Sequence, residues 1–297
     1  MHHVEKLQAI LKSQVRVNEP LSRHTTLKVG GPAAIFVEPI DRLDIQNVLR
    51  FDYQHKLPYF VIGNGSNLLA RDEGFKGIVL KLSHSFCYLR CIGELAVVGA
   101  GTPLPPLVTK VAEKGLAGLE FACGIPGTVG GAAYMNAGAH GKEIGELLEE
   151  VVMVSKEGES KIAATELSFG YRYCSIQKIE GLITEVSLKL SPGEPYVIRQ
   201  KIELLQQVRK KKQPRLPNAG SVFRNPPQCS AGHLIEEAGL KGLRIGDAQI
   251  SEIHANFIVN LGKARASDIF ALISAVREKV KEKFGIDLEL EIKILDA

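Results

Sequence analysis

Residues 118–141 read GLEFACGIPGTVGGAAYMNAGAHG, and this stretch decides how the chain is understood. Pro126, following Gly124-Ile125, opens a helix through "GTVGGAAYMNAG". Gly127, Gly130 and Gly131 are poor helix residues, each costing about 1 kcal/mol against alanine. Two things offset such a cost: tight packing of the helix, or close approach of a ligand phosphate to its N-terminus. The residues alone leave both open. Upstream, "FVIGNGSNLLARDEGFKGIVL" is a strand running into a loop of Gly63, Asn64, Gly65, Ser66 and Asn67. Small residues there let several backbone N–H groups point one way, as in an oxyanion nest, although a plain turn fits the segment equally. No G-x-x-x-x-G-K-[ST] occurs. "GAGTPL" at Gly99 starts like a dinucleotide fingerprint, but Leu104 stands at the third glycine, and "GNGSNL" fails likewise. Two anion-type loops without a Rossmann fingerprint point to a dinucleotide cofactor held by a different fold.

Around these loops the pattern is α+β. "AAIFVEP", an Asp41-capped helix "RLDIQNVLRFDYQHK" and "LPYFVIG" make a small α/β unit over residues 1–62. Residues 63–195 carry short strand-like runs, "GIVLKL", "ELAVVGAG", "EVVMVS" and "LITEVSLKL", with a helix "PLPPLVTKVAEKG" opened at Thr102-Pro103. A turn-rich "SPGEP" closes this region. Residues 196–297 begin with the amphipathic helix "YVIRQKIELLQQVRKKKQP". A second helix, "SDIFALISAVREKVKEKFG", is capped by Ser267 or Asp268 and stopped by Gly285. The alternating "IDLELEIKIL" reads as a closing strand near 286–295, with one polar face.

The composition, 297 residues with 45% hydrophobic and 24% charged, excludes disorder, collagen and coiled coil as readings of the whole chain. Apolar runs stay well short of the ~18 residues a membrane helix needs. The opening "MHHVEKLQAILKSQ" lacks the basic flank, long apolar core and cleavage site of a signal peptide, so a cytoplasmic protein is expected. Five scattered cysteines argue against a disulfide framework and read as ordinary thiols, with no metal site. A net charge of +4 suits an anionic small ligand as well as a nucleic acid.

Several residues are chemically suggestive. "FGYRYCSIQ" sets Arg172 between two tyrosines, equally a surface strand with an aromatic pair. The basic run in "RKKKQPRLPNAGSVFRNPP" is better read as a solvated helix end than as a nucleic-acid patch. Ser221 follows Ala219-Gly220 in a tight loop beside Arg224 and Asn225; it is not an esterase elbow, and spacing leaves its role open. His254 lies near an apolar strand, where a lone histidine is more often structural. Glu289 and Glu291 share one strand face, and periodicity does not choose between them.

Taken in order, "HTTLKVGGPA", "GNGSNLL", "EFACGIPGTVGGAAYMNAGAHG", "FGYRYCS", "QPRLPNAGSVFRNP", "GLKGLRIGDAQISEIHANFIVN" and "LELEIKIL" resemble the UDP-N-acetylenolpyruvoylglucosamine reductases. The resemblance runs from about residue 24 to 293. It implies an FAD-binding fold of the PCMH/vanillyl-alcohol-oxidase type in two subdomains, 1–62 and 63–195, and a substrate-binding domain, 196–297. FAD, held non-covalently because no GGH-type attachment motif occurs, would lie across Gly63, Asn64, Gly65, Ser66, Asn67 and Leu68. Its second loop would use Gly124, Ile125, Pro126, Gly127 and Thr128, continuing to Gly130, Gly131, Ala132, Asn136 and Gly138. The family's arginine falls on Arg172, its proton-donating serine on Ser221 and its glutamate on Glu291, with Arg215, Arg224, Asn225 and His254 as substrate contacts. NADPH would be the co-substrate and UDP-N-acetylglucosamine enolpyruvate the substrate, with no nucleic acid and no membrane insertion. Only about twenty residues separate Arg172 from the "SPGEP" turn, so the chain resembles the shorter subclass without a tyrosine-bearing insertion. An FAD oxidase of the same fold acting on another sugar is the alternative.

Overall fold

The computed structural model describes residues 2–227 and 229–296. The chain forms two compact units. One comprises Met1–Val17, Ile35–Asn64 and Gly77–Val208, and the other Asn18–Ala34, Gly65–Lys76 and Arg209–Ala297. The boundaries expected at 62/63 and 195/196 do not coincide with these divisions. The reason is burial: Leu27, Val29 and Leu69, from two short upstream segments, share a core with Phe223, Ile258 and Leu272. Apolar side chains in segments too short to cover one another are buried where a partner surface exists, however distant in sequence.

In the first unit, Asp41 accepts the Asp44 N–H at 2.8 Å and so starts the helix Arg42–His55 as expected. Its Ile45, Val48 and Leu49 pack with Val37, Ile78 and Leu80. Tyr59–Ile62 pairs in parallel with Ile78–Lys81. A second core lies under a five-stranded antiparallel sheet ordered Glu159–Ala163, Leu148–Val154, Leu182–Lys189, Leu95–Gly99, Leu89–Ile92. The helix Leu104–Glu113 buries Leu104, Leu107, Val108 and Val111 in that core; its N-cap is Pro103, without a side-chain cap from Thr102. From Arg172 the chain passes through a single turn, Ser175–Lys178, straight into Leu182–Lys189, so no insertion intervenes. The helix Pro195–Lys212 ends in four basic residues, a favourable charge at a helix C-terminus.

The second unit is built on an antiparallel sheet ordered Asn218–Ser221, Phe257–Asn260, Ala248–Ile250, Arg244–Ile245. The helix Ala266–Phe284 contributes Ile269, Leu272, Ile273, Val276 and Val280 to the core. Gly285 ends it with φ 69°, its N–H donating to Lys281 O. The start differs from expectation. Arg265 is the N-cap, and the N–H groups of Ala266 and Ser267 donate to the Asp72 carboxylate at 2.8 and 2.9 Å. Asp268 instead accepts the Arg265 N–H. The closing segment pairs as a strand only over Lys293–Leu295, parallel to Leu68–Ala70, with an isolated bridge between Leu290 and Phe223.

Asp72→Ala is therefore expected to lower stability by about 1–2 kcal/mol, measured by denaturant or thermal unfolding. Burial acts to raise the Asp72 carboxyl, but the Ser267 and Ala266 N–H groups outweigh it and hold it below its ordinary value. A folded-state value that is depressed contributes fully above the unfolded value, near ~4, and is lost as pH falls through the folded one. The wild-type and variant stability curves should converge in acid; a gap that persists there would exclude the cap as the cause.

Candidate active site

In the first unit the two glycine-rich loops touch. Asn64 Nδ2 donates to Gly127 O at 3.3 Å, and a Cβ on Gly63 would lie 2.7 Å from Thr128 Oγ1. Thr128 caps the short helix Val129–Tyr134, accepting from the Gly131 N–H at 3.3 Å. The Val129 N–H donates to Thr102 O and the Gly130 N–H to Ala100 O, both at 2.9 Å. These first-turn N–H groups are used inside the protein, so an anion at this helix N-terminus is not what the glycines serve. The two glycines have separate reasons. At Gly130 a Cβ would lie 2.8 Å from Ala100 Cβ, which is packing. At Gly131 it would meet nothing closer than Thr128 Oγ1 at 3.4 Å, and this residue is exposed. Pro126 is exposed, Gly124, Ile125 and Gly127 are half-buried, and Ala132 is part of the core.

The family resemblance implies that Asn136 contacts the cofactor. It is 1% exposed, and its amide makes three hydrogen bonds within the protein. Nδ2 donates to Glu143 Oε2 at 2.6 Å and to Gly170 O at 3.0 Å, and Oδ1 accepts the Gly145 N–H at 2.9 Å. Gly170 lies in the hairpin Phe169–Gly170/Tyr173–Cys174, whose two-residue tip is Tyr171-Arg172. Arg172, half-buried, has φ 56°. That left-handed conformation costs a residue with a Cβ about 1–2 kcal/mol and belongs more naturally to glycine. Its guanidinium lies 4.8 Å from the Tyr171 ring centroid, and Nη1 would be 3.4 Å from a Cβ on Gly138. The hairpin tip thus turns a strained arginine toward the strand leaving the glycine-rich helix.

The second unit brings Ser221 and Glu291 together. Ser221 ends the strand Asn218–Ser221, opposite Phe257, after a bulge in which Gly220 adopts φ 77°. Glu291 donates its N–H to Val222 O at 2.8 Å, and Arg224 donates to Glu289 O at 2.8 Å. Asn67 Nδ2 donates to Glu291 O at 3.2 Å, and the Lys293 N–H to Asn67 O at 3.0 Å. A Cβ on Gly220 would sit 4.0 Å from Ser66 O. The serine, the glutamate and residues 65–67 of the first glycine loop therefore converge. The Gly65 and Asn67 N–H groups donate to no protein acceptor among the described residues. Leu68 is core. Glu291 is half-buried whereas Glu289 is exposed, a distinction that strand periodicity does not make.

The remaining sequence-derived contacts divide. Arg224 is half-buried and Arg215 exposed. Asn225 Oδ1 accepts the Ala231 N–H at 3.0 Å, at the start of the helix Ala231–Glu237. His254 Nδ1 accepts the Asn256 N–H at 3.2 Å, and its ring lies 4.8 Å from that of Phe257. Burial pushes this imidazole below its ordinary value. A neutral, locally bonded ring brings no charge to an anionic substrate, which favours the structural role. Two supporting residues escape the sequence reading. Buried Asn256 clamps the segment after Ser221, donating to Phe223 O at 2.8 Å and accepting the Phe223 N–H at 2.9 Å. Thr26 Oγ1 donates to Asn218 O at 2.7 Å. Their only signal is membership of the collinear segments.

Among the described residues, no helix is long and apolar enough to cross a membrane, and no cluster of three or more His, Cys, Asp or Glu side chains is arranged to hold a metal ion. Residues 33–162 match the family model of an FAD binding domain. Residues 212–295 match that of the UDP-N-acetylenolpyruvoylglucosamine reductase C-terminal domain. A UDP-N-acetylenolpyruvoylglucosamine reductase of Moorella thermoacetica is 45% identical over 291 residues, 97% of this chain and 96% of that one. "UDP-N-acetylenolpyruvoylglucosamine reductase 2" of Symbiobacterium thermophilum is 43% identical over 294 residues, covering 98% and 96%. The crystal structure of UDP-N-acetylenolpyruvylglucosamine reductase from Thermus caldophilus superposes with a TM-score of 0.83 at 40% identity, covering 96% of this chain and 100% of that one.

Proposed function

Because the chain belongs to the UDP-N-acetylenolpyruvoylglucosamine reductase family, we propose that it uses NADPH to reduce the enolpyruvyl group of UDP-N-acetylglucosamine enolpyruvate to UDP-N-acetylmuramate, in peptidoglycan precursor synthesis in the cytoplasm. The observation that carries the reading is the convergence of Ser221, Glu291 and the loop residues 65–67. The glycine-rich loops suit FAD. Gly65 and Asn67 offer N–H groups to phosphate oxygens, and exposed Gly131 has no protein atom closer than 3.4 Å to where a Cβ would stand. Non-covalent FAD, when bound, supplies the hydride relay between the nicotinamide and the vinyl ether.

The chain's own residues then have two tasks. Hydride arriving at the terminal vinyl carbon leaves negative charge on the neighbouring carbon, delocalised into its carboxylate. Arg172, carried at the hairpin tip with φ 56°, meets that carboxylate with a planar fork of donors. Ser221 gives its hydroxyl proton to the carbon. Glu291, on the segment bonded to Val222 beside Ser221, is the third side chain assigned to the same reacting centre. Arg215 and Arg224 are left for the diphosphate.

The visible spectrum tests the whole. The purified protein should be yellow, bleach with NADPH, and recover its colour on adding the enolpyruvyl sugar nucleotide without oxygen. A colourless protein, or peroxide formed from a sugar without NADPH, would overturn the reading. The two helix glycines separate cofactor from packing. Gly130→Ala should cost about 1–3 kcal/mol of stability through overpacking against Ala100. Gly131→Ala should leave the FAD-free protein as stable as the parent or up to about 1 kcal/mol more so, yet lose the yellow colour. Full retention of FAD by Gly131→Ala would remove this helix from the cofactor site.

A further inference from the structure

One buried amide joins three parts of the first unit that contribute to chemistry or to its support. Asn136 lies at the exit of the glycine-rich helix. Its Nδ2 reaches Glu143, whose strand pairs with Gly138–Ala139, and Gly170, in the hairpin that carries Arg172 at its tip. Its Oδ1 holds the Gly145 N–H. Every hydrogen-bonding position of the side chain that the geometry uses points inward. The residue itself adopts φ 44°, an arrangement that asparagine tolerates better than most residues. Gly138 is equally constrained: a Cβ there would lie 2.8 Å from both Glu143 Cγ and Lys142 O, and 3.4 Å from Arg172 Nη1. Glu143, Gly138 and the arginine head are thus stacked in one place, with Asn136 fastening the carboxylate and the hairpin backbone together.

We propose that Asn136 and Glu143 form a positioning unit that sets the Arg172 guanidinium for the substrate carboxylate, and that Asn136 does not contact the cofactor. The proposal rests on the assignment of Arg172 above. Its logic is mechanical. The Arg172 backbone conformation is intrinsically unfavourable, so the hairpin must be held by what adjoins its tip. The hydrogen bond to Gly170 O secures the hairpin at the residue adjoining the tip. The bond to Glu143 Oε2 fixes the carboxylate on the strand paired with Gly138. A displacement of the fork by about 1 Å at the transition state is worth about a hundredfold in rate.

The test compares FAD-loaded Asn136→Gly, Glu143→Gln and Arg172→Lys with the parent by stopped flow. Asn136→Gly removes the amide while retaining a residue that accepts positive φ, and Glu143→Gln keeps the size and removes the charge. At saturating enolpyruvyl sugar nucleotide, the return of the visible absorbance should slow about a hundredfold in Asn136→Gly and at least about tenfold in Glu143→Gln. The bleaching rate with NADPH should stay within about threefold of the parent in both variants. In substrate-free protein, the Arg172 side-chain Nε–H resonance, identified by its loss in Arg172→Lys, should exchange with water at least about tenfold faster in Asn136→Gly. If Asn136→Gly does not fold, Glu143→Gln decides alone. Absorbance recovery within about threefold of the parent in both variants, with Arg172→Lys slow, overturns the positioning role and leaves the arginine assignment standing. Recovery unaffected in Arg172→Lys as well overturns that assignment and the proposal with it.

Discussion

Ser221→Ala is expected to bleach with NADPH at nearly the parent rate and to reduce the enolpyruvyl substrate well over about tenfold more slowly. The two half-reactions separate because a hydroxyl is required only where a carbon must be protonated. Structural damage is a poor explanation for such a split. Ser221 is held by its backbone, as the last residue of a strand paired opposite Phe257, and the next residues are clamped by Asn256. Removing one half-buried hydroxyl leaves those bonds in place. Stopped-flow traces in which both halves match the parent would end the assignment of Ser221 as proton donor. Loss of both halves with loss of FAD would show instead that the serine supports the cofactor loop beside it.

Arg172→Gly is expected to leave stability nearly unchanged while catalysis falls steeply. Glycine accepts φ 56° without penalty, and that relief of about 1 kcal/mol or more works against the loss of the side chain's contacts, of which the one with Tyr171 is worth about 0.5–1 kcal/mol. The melting temperature should therefore stay within a few degrees of the parent, roughly what 1 kcal/mol moves in a protein of this size. Substrate reduction should fall about 10²–10³-fold, as on removing a preorganised donor from a developing anion. A variant that melts far lower would mean that the arginine is structural. A variant that turns over normally would mean that another cation meets the carboxylate.

Much of the architecture is legible in the residues. Ile45, Val48 and Leu49 at helical spacing, Asp41 before them, and Gly285 after Phe284 each state a local rule that the fold obeys. Elsewhere a non-local partner prevails. The alternation in "IDLELEIKIL" reads as one long strand, yet its first half makes single bonds to the Ser221–Arg224 segment and only Lys293–Leu295 pairs regularly. Both glutamates therefore look equivalent by period, although only Glu291 is drawn inward. The helix at Ala266 looks self-capped in sequence, but its cap is Asp72, almost two hundred residues earlier. Glycines in the loop at 124–131 mark close approach without revealing to what, and the structure sets Gly130 against Ala100 while Gly131 meets only Thr128 Oγ1 at 3.4 Å. Arg172 is the least legible, since no propensity rule places an arginine where a turn asks for glycine.

The parallel pairing of Leu68–Ala70 with Lys293–Leu295 has a consequence for biosynthesis. A ribosome delivers the upstream strand long before its partner exists, and pairings between such remote stretches form slowly. The neighbouring turn, anchored through Asn67 to the backbone of Glu291, must wait as well. The nascent chain consequently stays unable to grip its prosthetic group until Lys293–Leu295 has been made, and colour should appear only after that strand has left the exit tunnel.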